Sequence, residues 1–344
     1  MNKKLIISAH NIHVGGGKVL LQGILSAGIK GEDVTCFVDH RYPVPSELPN
    51  NIEIFKVRST VFSRISAESR IAELANLNPS NTTVLCFGNL PPLFDVRSKV
   101  AVFVQNKYLV QERFFNLNGA KTFFRSVFEK IWFNVRSKPQ YQYFVQTQTM
   151  KNSFIGSMGH DLPISIAGFS SFKKEVTSSS RGDYFCYIAS GEKHKNHVNL
   201  LKAWKLLKSQ YGITPELKLV LNKASYPDLC LWTEQFAKDN GLCVELISSL
   251  ERNKLVDFLS GSKALVFPSL FESFGLPMIE AENLGVPILA SDRDYVFDVI
   301  TPAGVFDPLQ PSSIARAICK FMNIEMTPNR ILESREFVEK VLDI

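Results

Sequence analysis

The sequence predicts an α/β protein with two doubly wound parallel sheets. Three observations carry this. Short apolar runs alternate with longer amphipathic stretches along most of the chain. Most of those runs are continuously apolar and rich in β-branched residues, as in parallel strands covered on both faces. The alternation breaks at a serine-rich, charged stretch, SSFKKEVTSSSRGD (170–183), and then restarts. At 344 residues the chain exceeds one typical core, so two domains are expected.

In order, KLIISA (4–9) is the first strand. Two lysines ahead of so brief an apolar run make neither a signal peptide nor a bilayer span. NIHVGGGKVLLQGIL (11–25) follows, with three glycines opening a helix over about 17–28. Glycines there let a ligand approach the backbone, or simply allow close packing. Strands are expected at 34–39, 83–88, 100–105 and 143–147, and the joint between domains at 161–171. The second domain reads as strands at 184–190, 217–222, 243–248, 264–269 and 287–291. Helices lie at 198–210, 228–239, 251–260, 277–284 and 311–322. Domains of this kind bind ligands at the carboxyl ends of their strands, so two facing each other make a cleft.

Composition narrows the function. Residues 1–165 carry 19 Lys+Arg against 11 Asp+Glu, and residues 166–344 carry 20 against 22. A basic first half suits a membrane, a nucleic acid or a phosphorylated acceptor. With no zinc finger, RNP motif or long basic helix, nucleic acid is set aside. Six scattered cysteines without a C-x-x-C pair read as reduced core residues of a cytoplasmic protein. His10/His13 and His194/His197 have H-x-x-H spacing but no further ligands beside them, so no metal site is assigned.

The most informative stretch is FPSLFESFGLPMIEAENLGVPI (267–288). A strand ends at Ser269, FESFG turns, and Pro277 suits a first helical turn because its missing N–H is not needed there. The amides around Phe274–Leu276 open the helix, where an anion is favoured. Glu272 and Glu280 flank that place, and carboxylates there are good acceptors for sugar and ribose hydroxyls. A second stretch, YIASGEKHKNHVNLLKAWKLL (187–207), is a strand, a turn and a helix, with Lys193 and Lys195 at the turn.

The first stretch resembles the E-x7-E signature of retaining GT-B glycosyltransferases of family 4, of the bacterial polysaccharide and O-antigen type. The resemblance implies the GT-B arrangement, two Rossmann-like domains facing across a cleft. Residues 1–165 would bind the acceptor, and residues 166–324 a nucleotide-sugar. Residues 325–344 would pack back on the first domain. It implies that Glu280 holds the ribose and Glu272 the donor sugar. Ser273, Phe274, Gly275 and Leu276 would meet sugar and phosphate, with Gly16 and Gly17 facing the donor phosphates. The 187–207 stretch looks like the family's phosphate-binding segment, so Lys195 would neutralise the departing diphosphate. Where the family usually has an arginine, this chain has Ser190-Gly191, and Lys193 stands in as a point charge. Where many relatives have a histidine near the reacting carbon, this chain has Gln105-Asn106-Lys107, and Gln105 and Asn106 are the acceptor-side candidates. The leaving phosphate can itself accept the acceptor's proton, so catalysis rests on positioning and electrostatics with no cofactor and no metal.

VFVQNKYLV (102–110), YFVQTQTMKNSF (143–154) and VFDPLQPSSIARAI (305–318) also look like family segments. In 121–138, Phe124, Val127, Phe128, Ile131 and Val135 share a helical face with basic residues between. That helix is either a core helix with a solvated back or a peripheral contact with the inner face of the cell membrane. A GT-B epimerase and a non-catalytic glycan-binding scaffold are the rival readings.

Overall fold

The computed structural model describes residues 3–27, 32–110, 120–158, 162–170, 181–248 and 250–324. The expected packing of 325–344 onto the first domain lies outside the described residues.

The first sheet holds β1 (Lys3–Ala9), β2 (Glu32–Asp39), β3 (Ile52–Val57), β4 (Thr82–Cys86), β5 (Lys99–Val104), β6 (Gln142–Val145) and β7 (Ile164–Ile166). All pair in parallel in the order β3-β2-β1-β4-β5-β6-β7. Helices α1 (Gly15–Ala27), α2 (Val61–Leu77), α3 (Ala120–Arg136) and α4 (Gln148–Met158) lie between strands. The second sheet is also parallel, in the order β10-β9-β8-β11-β12-β13. Its strands are β8 (Tyr184–Ile188), β9 (Glu216–Val220), β10 (Val244–Ile247), β11 (Ala264–Phe267), β12 (Ile288–Ser291) and β13 (Gly304–Phe306). Between and after them come α5 (His197–Tyr211), α6 (Pro227–Asn240), α7 (Arg252–Ser260), α8 (Leu276–Asn283), α9 (Asp294–Phe297) and α10 (Pro311–Phe321).

Both strand orders reverse direction beside the first strand of their sheet, between β1 and β4 and between β8 and β11. That is the switch point where an open parallel sheet leaves a crevice. Two separate core clusters cover the faces of the first sheet, and one large cluster surrounds the second. The alternating sheets match the α/β expectation, and every expected strand and helix has its counterpart within a few residues. The boundary expected at 165 falls inside β7, so the chain leaves the first sheet slightly later than the sequence indicates.

Three strands and three helices have no counterpart in the sequence pattern: β3, β7, β13, α2, α4 and α9. β7 and β13 are three residues long, too short for a hydrophobic period to register. α2 conceals itself differently. It buries Ala67, Glu68, Ile71, Ala72 and Ala75, while Val61, Phe62, Ile65 and Leu77 face outward. Its inner face is thus mostly alanine with one carboxylate. Glu68 is satisfied there by Ser8 Oγ at 3.1 Å, the His10 ring at 2.7 Å and the Leu93 amide at 3.0 Å.

The aromatic helix α3 divides its rings. Phe133 is buried, and Trp132 donates its indole N–H to the Pro91 carbonyl at 3.0 Å. Phe128, Ile131 and Val135 stand exposed on the outer side. Arg136 and Lys138 both hold Asp95, at 3.0 and 2.7 Å. Among the described residues no helix is long and apolar enough to cross a membrane.

Candidate active site

The site begins with two neighbouring strands of the second sheet. β8 delivers the turn at 189–196 and β11 the turn at 268–275. Asn196 joins them. It adopts a left-handed conformation, φ +64°, between a 3-10 turn (Lys193–Lys195) and α5. Its buried side-chain amide donates to the carbonyls of Pro268 at 3.0 Å and Pro308 at 2.7 Å. The Leu270 amide donates to the His194 carbonyl at 2.8 Å. Tyr187 donates its phenol to the Lys195 carbonyl at 2.7 Å and lies 3.2 Å from Ser269 Oγ. His194 stacks on Phe271, with centroids 4.4 Å apart.

Bound together in this way, the loops bring Lys195 Nζ to 2.6 Å from Glu272 Oε1, with both side chains mostly buried. Gly275, in the left-handed region at φ +71°, starts α8, and Glu280 sits buried on that helix. Glu272, Glu280 and Lys195 line a cleft of about 780 Å³, room for a drug-sized or nucleotide-sized ligand. Ser273, Phe274, Gly275 and Leu276 line it too, and from the first domain so do Gly16, Gly17 and Gln105. A Cβ added at Gly16 would stand 3.1 Å from Leu276 Cδ1, so the glycine loop touches the α8 start across the cleft.

Two predicted residues are not brought there. Lys193, expected to stand in for the family's arginine, is exposed and outside the cleft lining. The reason is local: the 3-10 turn carries Lys193 to the solvent side while Lys195 turns inward. Asn106 spends its side chain capping the next turn, accepting from the Tyr108 amide at 3.1 Å. Gln105 donates to the Phe87 carbonyl at 3.0 Å.

The cleft also contains residues that the sequence did not single out. Tyr226 donates its phenol to Glu192 Oε1 at 2.6 Å. Its ring packs so closely on Gly191 that any side chain at 191 would overlap it. Burial and the bond to Glu192 push the Tyr226 phenol up to about 12. Burial works to raise the Glu192 carboxyl, but hydrogen bonds from Ser190 and Tyr226 outweigh it, so its pKa is lowered. Glu192 was visible only as one letter of the basic turn, and Tyr226 carries no motif at all. From the first domain, Lys107 lies 5.8 Å from the Phe271 centroid, and Tyr108 meets the same ring edge-on at 5.5 Å. Burial lowers the Lys107 pKa, opposed by Asp294, Glu272 and Asp298.

The H-x-x-H pairs have separate structural roles. His10 bonds Glu68, and His13 lies 4.0 Å from Asp39. His197 packs against Tyr187 at 5.1 Å, and burial, aided by Lys195, pulls its ring down to about 4. Among the described residues no group of three or more His, Cys, Asp or Glu is placed to hold a metal ion.

Residues 169–336 match the family described as glycosyl transferases group 1. The match covers 168 residues, nearly half of the chain. The matched segment contains Lys195, Glu272 and Glu280. Two curated relatives are similar. The O-antigen chain mannosyltransferase RfbU of Salmonella typhimurium (strain LT2) is 26% identical over 168 residues, 48% of this chain and 45% of that protein. The O-antigen chain mannosyltransferase B of Escherichia coli is 28% identical over 138 residues, 39% of this chain and 35% of that protein. The chain thus spans less than half the length of the curated relatives it matches. Among solved structures, Anabaena Alr3699/HepE in complex with UDP and glucose superposes with a TM-score of 0.67 at 12% identity, over 92% of this chain and 90% of that one. That likeness shows a shared GT-B fold across both sheets.

Two outcomes follow from this geometry. Asn196→Ala loses two buried hydrogen bonds and strains a left-handed position, costing about 2–4 kcal/mol, while Asn196→Gly, which relieves the strain, costs less. Urea unfolding of the second domain measures both. His197 titrates at about 4 folded against 6.5 unfolded, so the unfolded chain takes up its proton first as pH falls. Its contribution is intact above pH 6.5 and is lost between about 6.5 and 4, worth about 3 kcal/mol at most. Unfolding wild type and His197→Phe across that window should show a shallower decline in the variant.

Proposed function

We propose that this chain is a retaining glycosyltransferase that moves a sugar from a nucleotide-sugar donor to a growing, lipid-linked glycan in cell-surface polysaccharide synthesis. The observation that carries the reading is the convergence of Lys195, Glu272 and Glu280 in one cleft that both sheets line. The likeness to O-antigen mannosyltransferases supports the polysaccharide role, and the HepE complex supports a nucleotide-sugar donor.

The donor diphosphate lies at the start of α8, where helix-start amides favour an anion. Lys195 exchanges Glu272 for the departing phosphate and neutralises the charge that develops as the glycosidic bond breaks. Glu272, released, accepts hydroxyls of the sugar, and Glu280 those of the ribose. The acceptor hydroxyl attacks on the face the diphosphate leaves, and its proton passes to a leaving phosphate oxygen. This assigns the positive charge to Lys195 and the amides and asks for no metal or cofactor. The acceptor approaches past Gln105. The protein works in the cytoplasm, touching the inner face of the membrane through 121–138, where Phe128, Ile131 and Val135 are exposed.

The test is thermal. A ligand bound only by the native state raises the melting temperature with its concentration over its Kd. One of UDP, GDP or their sugar conjugates should give a clear upward shift in wild type. Glu280→Ala should abolish it while leaving the unliganded melting temperature within a few degrees. No shift with any of these donors would sink the reading and favour a non-catalytic scaffold. An epimerised donor without a new glycosidic bond would move the protein to another enzyme class. For membrane contact, the chain should sediment with anionic vesicles at low salt, and Phe128→Ser with Ile131→Ser should leave it in the supernatant.

A further inference from the structure

The carboxyl end of β2, beside the first domain's glycine loop, gathers charge mainly of one sign. Asp39 is fully buried there. Its carboxylate accepts from the Arg41 amide at 3.0 Å and from Arg41 Nε and Nη2 at 2.8 Å each. Arg64, in the first turn of α2, places Nη2 at 3.8 Å. His40 Nδ1 lies at 3.2 Å and His13 Nδ1 at 4.0 Å. The hydrogen bonds from Arg41 outweigh burial and hold the Asp39 carboxyl well below the usual carboxylate range, so it stays ionised. Among these five groups one carboxylate faces two guanidiniums, giving an excess of one positive charge before either imidazole is counted.

The excess is presented outward. The Arg41, His40 and Arg64 side chains are between a third and a half exposed, while the carboxylate beneath them is sealed. Asp39 thus acts as a buried anchor that fixes Arg41 in one orientation, with its outer edge toward solvent. The cluster also borders the cleft: His13 directly precedes Val14, Gly15, Gly16 and Gly17, all of which line it. In the same helical turn as Arg64, Val61 and Phe62 are largely exposed, Phe62 at 86%.

We propose that the Arg41–Arg64 cluster over Asp39 is an anion subsite that binds a phosphate group of the acceptor. This rests on the glycosyltransferase reading for the identity of its occupant, but not for the binding of phosphate itself. Guanidiniums match phosphate oxygens with paired N–H bonds, and one fixed by a buried carboxylate with a second 3.8 Å from that carboxylate makes a prepared grip. The phosphate belongs either to a lipid-linked diphosphate, whose chain Val61 and Phe62 would meet, or to a soluble sugar phosphate. Either source places the acceptor on the first domain with its glycan end toward the glycine loop.

Calorimetric titration of the full chain with inorganic pyrophosphate tests this. Wild type should take up two equivalents, one at Lys195 and one at the cluster, and Lys195→Ala should keep one. In that background Arg64→Ala should weaken the remaining binding roughly tenfold or more, the usual value of a hydrogen bond to a charged group. Arg64→Lys, which restores the charge, should recover part of it and guards against a folding defect. Arg64 is chosen because it leaves the Arg41–Asp39 pair intact. A single equivalent that vanishes with Lys195→Ala, or binding unchanged by Arg64→Ala, overturns the proposal. Farnesyl diphosphate binding more tightly than pyrophosphate, with the gain lost in Phe62→Ser, identifies a lipid-linked source; equal binding identifies a soluble one. If no nucleotide shifts the melting temperature yet Arg64-dependent pyrophosphate binding persists, the functional reading fails and the subsite stands.

Discussion

The left-handed turn at Asn196 is the constraint on which the rest of the cleft depends. Lys195 and Glu272 lie 77 positions apart, on loops that leave different strands. Parallel pairing sets β8 and β11 side by side but says nothing about how the loops beyond them are arranged. Asn196 settles that by turning its amide into the carbonyls of Pro268 and Pro308. Asparagine suits the position because its short polar side chain tolerates a positive φ at modest cost. Tyr187 and the Leu270 amide fasten the same two loops from either side. What results is a lysine and a glutamate delivered to one point with little freedom left to lose when a ligand arrives.

The second requirement is that two domains present complementary surfaces. The glycine loop of the first domain can approach the start of α8 because residue 16 has no side chain. Leu276, at that helix start, packs against the first domain's own core. At the other end of the contact the Thr149 amide donates to Asp298 Oδ2 at 2.7 Å. The cleft is therefore a shared volume rather than a pocket of one domain with a lid.

Much of this was legible in the sequence, for identifiable reasons. The buried parallel strands are continuous apolar runs, and the helices after them have ordinary apolar stripes. The segment from Phe267 to Ile288 gave its own geometry, because strand end, proline, carboxylates and closing glycine sit at fixed offsets. α2 was hidden because its inner face is alanine and glutamate while its larger apolar residues point outward, the reverse of the usual stripe. The outward place of Lys193 was not legible because three consecutive basic-type residues, Lys193, His194 and Lys195, share one 3-10 turn, and sequence does not show which of them faces in. Tyr226 and Glu192 were invisible because their pairing joins the helix after β9 to the turn after β8, a contact made only by the fold.

One contact bears on how the halves communicate. Phe271, the residue directly before Glu272, is clasped between His194 of its own domain and Tyr108 and Lys107 of the other. Separating the domains would strip one side of that aromatic sandwich and further wet a ring that is now half-buried. The backbone carrying Glu272 would lose its brace in the same movement. The carboxylate's aim is thus conditional on the first domain being seated, so a ligand held while the domains are apart would meet a slackened site. The arrangement makes the cleft a coincidence detector, complete only when the two halves are seated together.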